Sequence, residues 1–135
     1  MNCMLPLLDA DREPFRHESV LWFDSECTPG VRYAISRVSL GRRIELARRI
    51  REIGRKAEFL AASSNTRDQL EAAVISAEID REYIEWGLSA VEGLTIDGEM
   101  ATSRTVIERG PFQLAIEILA HIKHECQLDE AERKN

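Results

Sequence analysis

His121-Ile-Lys-His124-Glu-Cys126 places two imidazoles and a thiol close together, the one stretch of this chain whose composition could hold a metal. Two ligands three residues apart can share a helical face. Cys126, however, lies about 140° from His121 and about 200° from His124 around a helix. A fourth ligand would have to come from a distant thiol such as Cys27, and there is no paired C-x-x-C to anchor structural zinc. The expectation is surface histidines beside a core cysteine, with no metal and no cofactor. Carboxylates cluster at Glu78, Asp80, Glu82 and Glu85. A catalytic pair also needs a cleft and shifted pKa values, and these four fall on an amphipathic segment whose other charges look solvated. There is no G-x-S-x-G, no phosphate loop of the G-x-x-x-x-G-K-[ST] type and no convincing Cys–His pairing. The residues read as those of a non-enzyme.

The other concentration of chemistry is arginine. Net charge is −6 over 135 residues, but it is segregated. Residues 1–30 carry net −4, residues 31–56 net +7 and residues 57–135 net −9. Of the nine basic residues in the middle block, only Lys56 is not Arg. Guanidinium groups make planar, bidentate contacts with carboxylates and phosphates. Such a stretch inside an acidic chain calls for a partner of opposite sign: the chain's own acidic helices, another subunit or a polyanion. Tracking phosphates would give salt-sensitive binding, but no aromatics are interleaved to stack on bases. The segment reads either as a solvated, partly self-neutralised helix or as a partner-binding surface at Arg42, Arg43, Arg48, Arg49, Arg51 and Arg55. Nucleic acid ranks behind protein as the partner.

The elements that would carry these residues follow from periodicity. Residues 1–17 contain Pro6 and Pro14 without a sustained period and read as an arm. Residues 19–38 read as a β-hairpin: a short aromatic run, a Thr28-Pro-Gly30 turn, then the alternation of Val31–Val38. Ser39 is a good N-cap. From it Leu40, Ile44, Ala47, Ile50, Ile53, Ala57 and Leu60 form an apolar stripe, widened by Leu46, and the helix ends in the small residues 61–65. Thr66 and Gln69 have the spacing of a capping box. Leu70, Ala73, Val74, Ala77, Ile84 and Leu88 form the stripe of the second helix, and Ile75, Ile79, Tyr83 and Trp86 a second set on an adjacent face. So wide an apolar arc packs on two sides, which makes Ile79, Tyr83 and Trp86 candidate partner-binding residues. The alternative is that these residues meet Trp22 and Phe112 in the core. Asp97-Gly98 between apolar residues signals a tight hairpin. Thr102 or Ser103 caps a short helix that stops at Gly110 in a left-handed position, and Pro111 opens the last helix. The core stripe of that helix is Phe112, Ala115, Ile116, Leu119, Ile122 and Cys126.

The fold class expected is α+β and predominantly helical. An N-terminal β-hairpin is followed by a bundle of three to four helices with a small D-G turn. Residues 1–135 form a single domain, with 40–126 the helical region and 129–135 a polar tail. Apolar residues make up 44% and charged residues 31%, which excludes wholesale disorder. No apolar run approaches the ~20 residues of a transmembrane helix, and no secretory signal stands at the start. Three unpaired-looking cysteines fit a reducing compartment.

The second half also resembles a known group. Glu85-Trp-Gly-Leu88, Val91-Glu-Gly-Leu94, Ile96-Asp-Gly-Glu-Met-Ala-Thr102, Glu108-Arg-Gly-Pro111, a helix containing Glu117-Ile118, and the ending Leu128–Asn135 follow one another in an order similar to small phage and prophage tail assembly chaperones. Upstream, the extended segment and the Arg-rich helix opened by Val38-Ser-Leu-Gly41 are compatible with that group, so the likeness covers about residues 20–135. It implies a viral, non-enzymatic helper in the cytoplasm of a bacterial host cell. Such a helper binds the tape measure protein and tail tube subunits, and self-association is a further expectation. The alternative, from another class, is a small nucleic-acid-associated or regulatory protein using the Arg-rich helix.

Overall fold

A computed structural model describes residues 20–126 of the chain. The expected arm (1–17) and polar tail (129–135) lie outside the described residues. Strand β1 (Val20–Asp24) and strand β2 (Arg32–Ser36) form the expected hairpin. They are antiparallel, with Trp22 opposite Ala34. Gly30, at φ 88, supplies the left-handed turn residue before Val31. Two 22-residue helices follow, α1 (Leu40–Ala61) and α2 (Thr66–Gly87), and together they make an antiparallel helical hairpin. Next come strand β3 (Leu88–Glu92), the two-residue strands β4 (Thr95–Ile96) and β5 (Glu99–Met100), helix α3 (Ser103–Arg109) and helix α4 (Phe112–Cys126). The fold is α+β and mostly helical.

The sheet holds one strand more than the periodicity foretells. β3 pairs antiparallel with β2, which makes the order β1-β2-β3 and puts β2 in the centre. The register slips between Ala34 and Ile35, where Ser89 is the extra residue of a bulge. Its hydroxyl sits 2.6 Å from that of Ser36. Helix α2 passes into β3 without a loop: Leu88 closes the helix, its amide donating to the Ile84 carbonyl, and is also the first strand residue. Asp97 (φ 51) and Gly98 (φ 83) both take positive φ between β4 and β5, the backbone of a type I′ hairpin.

Helix starts are set by side-chain caps. Ser39 accepts from the Arg42 amide as expected, and Thr102 and Thr105 form a reciprocal capping box. The cap of α2 is Asn65 rather than Thr66. Its Oδ1 accepts from the Arg67 amide at 2.8 Å, and the Gln69 side chain turns away to the Ser63 carbonyl. Gly110 is extended (φ −80), not left-handed. A side chain there would run into the carbonyl oxygen of Val106, so space rather than backbone conformation demands glycine.

The core joins β2, α1, α2, α3 and α4 around Tyr33, Ile35, Leu46, Val106, Leu114, Ile118, Ile122 and Cys126. Three expected stripes are rotated. α1 turns Leu46 into the core, while Leu40 (73% exposed) and Ile44 lie about 120° and 160° away around the helix and face solvent. α2 buries Ile75, Tyr83 and Ile84 but exposes Leu70 (64%) and Val74 (52%), because α1 covers the face that begins at Ile75. α4 buries Leu114 and Ile118 in place of Phe112 (72% exposed) and Ile116. Trp22 is exposed as well, so the expected core contact with Trp22 and Phe112 is not made, although Tyr83 belongs to the core and Ile79 and Trp86 pack against it.

Where α2 crosses α4, Gly87 is buried, and a Cβ built on it would stand 2.8 Å from Ile122 Cγ2 and 3.0 Å from Cδ1. Gly87→Ala is therefore expected to cost about 1–3 kcal/mol by overpacking. In denaturant unfolding, the double mutant Gly87→Ala/Ile122→Ala should lose less than the sum of the single losses, because removing Ile122 removes the clash. Strict additivity would mean that the crossing is not the reason for glycine.

Candidate functional site

The six arginines are distributed to both sides of the α1–α2 hairpin. Arg42 and Arg49, seven residues apart, share one face of α1. The Arg42 guanidinium lies 4.4 Å from the centre of the Trp86 ring and donates to the Trp86 carbonyl at 3.3 Å. Arg49 bridges Glu45 at 3.2 Å and Glu82 at 2.9 Å. That side of the hairpin is closed by its own charges. The Trp86 indole Nε1–H is buried there without an acceptor among the described residues. Arg43 is half-buried nearer α4 and acts on Cys126. Burial outweighs it and pushes that thiol up to about 11, so Cys126 is an inert core residue.

The other side is open. A groove of about 770 Å³ runs between α1 and α2 toward the end of α4. Its floor is Ala47, Ile50, Gly54 and Ala57 from α1 with Ile79 and Tyr83 from α2. Gly54 and the other small residues keep this floor low: a Cβ on Gly54 would already touch Ile79 Cδ1 at 3.4 Å. Arg51 and Arg55 stand on the rim, opposite Lys123, which pairs with Asp80 at 3.3 Å and lies over the Tyr83 ring. Of the residues singled out in the sequence, then, Arg51, Arg55, Ile79 and Tyr83 converge on one groove. Arg42 with Trp86, and Arg49 with Glu45 and Glu82, make separate contacts on the closed side, and Arg48 is exposed beyond the rim.

A second cluster was not singled out. Glu117 on α4 reaches the turn after β1. Its Oε1 accepts from the amides of Glu26 (3.1 Å) and Cys27 (3.0 Å) and from the Ser25 hydroxyl (3.3 Å), and its Oε2 from the Tyr33 hydroxyl at 2.7 Å. Burial alone would raise the carboxyl pKa. The bonds from the Cys27 amide, Tyr33, the Cys27 thiol and the Glu26 amide outweigh it and hold the group below its ordinary range. Burial, and then the facing carboxylate, keep the Tyr33 phenol protonated far above its own range. Donors surround the carboxylate, which makes it a latch between helix and turn rather than a general base. His121, one turn along, is half-buried, its ring tilted 4.3 Å from that of Phe23 beside Tyr33, while His124 is exposed and Cys126 lies in the core as expected. The metal-like spacing of His121, His124 and Cys126 gathers no cluster of three or more metal-ligating side chains among the described residues.

The chain matches no family model. No curated protein and no solved structure matches it either. Among the described residues no helix is long and apolar enough to cross a membrane.

Proposed function

We propose that this chain is a non-enzymatic binding protein that takes helical segments of client proteins into the α1–α2 groove, in the manner of the tail assembly chaperones it resembles. Its clients would be tape measure and tail tube proteins. The observation that carries this reading is the groove itself: apolar in its floor, charged at its rim and covered by none of the described elements. Helix-in-groove recognition needs that combination, with affinity from apolar burial and orientation from charge. The exposed line of Arg48, Arg51 and Arg55 favours a second reading, binding of a nucleic acid.

Salt separates the two. Phosphate-driven binding falls log-linearly with salt, whereas apolar burial does not. The test is co-expression with candidate tape measure and tail tube proteins, followed by capture at low and high salt. A tape measure protein retained through high salt is the expected result. Ser76→Trp, which fills the groove from an exposed lining position, should abolish that capture while the helical circular dichroism stays unchanged. Recovery of nucleic acid alone, lost as salt rises, would overturn the proposal.

A further inference from the structure

Resting on the groove reading, we infer that the occupant of the α1–α2 groove is an acidic amphipathic helix of about three turns. Length comes from the lining residues. On α1 they run from Ala47 to Glu58, about 16 Å of helix axis, which matches roughly eleven residues of a docked helix. Depth comes from Ala47, Gly54, Ala57 and Ser76, whose small side chains let a third backbone approach to helix-packing distance. Leu40 and Ile44, exposed on the same face of α1 as Ala47 and Gly54, extend the apolar line at one end.

Charge decides the chemistry. Arg48, Arg51 and Arg55 fall at i, i+3 and i+7, on one edge of α1 beside the apolar floor. Each is exposed, and none has a carboxylate within ion-pair distance among the described residues, in contrast to Arg49 on the closed side with its two. Two carboxylates line the groove: Asp80 is already engaged by Lys123, and Glu58 stands at the last turn of the arginine edge. Arg51, Arg55 and Lys123 thus leave the rim one net positive charge. A helix with Leu or Ile at i, i+4 and i+7 and Glu or Asp beside that stripe would bury its apolar face on Ile50, Ile79 and Tyr83 while pairing with the arginine edge. A basic helix would meet like charge, and a bare polyanion would leave the apolar floor unused.

The test uses the full chain and two fluorescent helical peptides with the same leucine stripe, one flanked by Glu and the other by Lys. Anisotropy should show the Glu peptide binding at least ~10-fold more tightly at low salt, with the margin narrowing as salt screens the pairs. The double variant Arg51→Glu/Arg55→Glu should reverse the preference. Ser76→Trp should abolish binding of both peptides. Equal binding, or preference for the Lys peptide, would overturn the acidic occupant while leaving the groove reading standing. If neither peptide binds and Ser76→Trp leaves client capture intact, both fail. A single-stranded oligonucleotide that binds more tightly than the Glu peptide, and still binds Ser76→Trp, would overturn the inference in favour of a nucleic acid.

Discussion

Gly93→Ala should lower stability by about 3 kcal/mol or more, and the melting temperature by roughly 10 °C for a domain of this size. Gly93 follows β3 with φ 80, a conformation costing an L-residue about 1–2 kcal/mol by itself. The larger share is steric. A Cβ here would overlap the carbonyl oxygen of Gly30, well inside contact distance, and would crowd the carbonyl carbon behind it at 3.2 Å. No side chain can rotate aside, because both obstacles are main chain. Relief requires moving the end of β3 away from the turn that leads into β2, and that turn delivers Val31 and Tyr33 to the core. Gly98 provides the control: its φ is 83, but none of the described residues lies within 4 Å of a Cβ built on it. Gly98→Ala should therefore show only the backbone cost. Thermal and denaturant unfolding of the two variants measure the difference, and equal losses would refute the close approach as the cause.

Glu117→Ala comes next in size, with an expected loss of roughly 2–3 kcal/mol. The variant strands the hydroxyl of Tyr33, a residue with no solvent exposure, and releases two amides of the β1–β2 turn. Water can reach those amides more easily than the phenol, so Tyr33 carries most of the loss. The effect should depend on pH in a definite direction. The folded carboxyl is held below its ordinary value, so its stabilisation is present above the unfolded pKa of about 4.3 and is lost as pH falls through the folded value. The wild-type chain should thus lose stability between about pH 4.3 and lower pH more steeply than Glu117→Gln does, and the gap between them should close. Unfolding curves measured across that range provide the check. A gap that stays constant would show that the carboxylate charge does no work in the latch.

Local chemistry was legible in the sequence wherever one residue type decides a backbone conformation. The β1–β2 hairpin, the Ser39 cap and the Asp97-Gly98 turn are each set by neighbours within a few residues. β3 was not legible because Leu88 completes the helical spacing from Ile84 and so reads as one more turn of α2. The break comes from tertiary packing, where Gly87 must lie against Ile122. The rotated stripes of α1, α2 and α4 have a related cause. Periodicity identifies an apolar arc but not which part of it a neighbour will cover, and here Leu40, Leu70 and Phe112 were left outside. For the same reason the arginines could be named as a group but not sorted. Arg42 and Arg49 differ from Arg51 and Arg55 only by which side of a helical hairpin they occupy. Glu117 carried no signal, since a carboxylate on an amphipathic helix looks the same whether it meets water or a turn.

The absence of any loop between α2 and β3 bears on how the molecule comes apart. A connecting loop would let a helix fray while the strand stayed paired. Here Leu88 belongs to both, so melting the last turn of α2 withdraws the residue opposite Ile35 and unzips β3 from the central strand. The helical hairpin and the inner edge of the sheet should therefore open as one cooperative unit, with amides in Ile84–Val91 exchanging hydrogen at a common rate. β1 joins the described sheet through β2 alone, so its own opening needs no such concert and should be the more frequent event. A ligand gripping the far end of α1 and α2 would then slow exchange in β3, a strand it never touches, while leaving the opening of β1 unchanged.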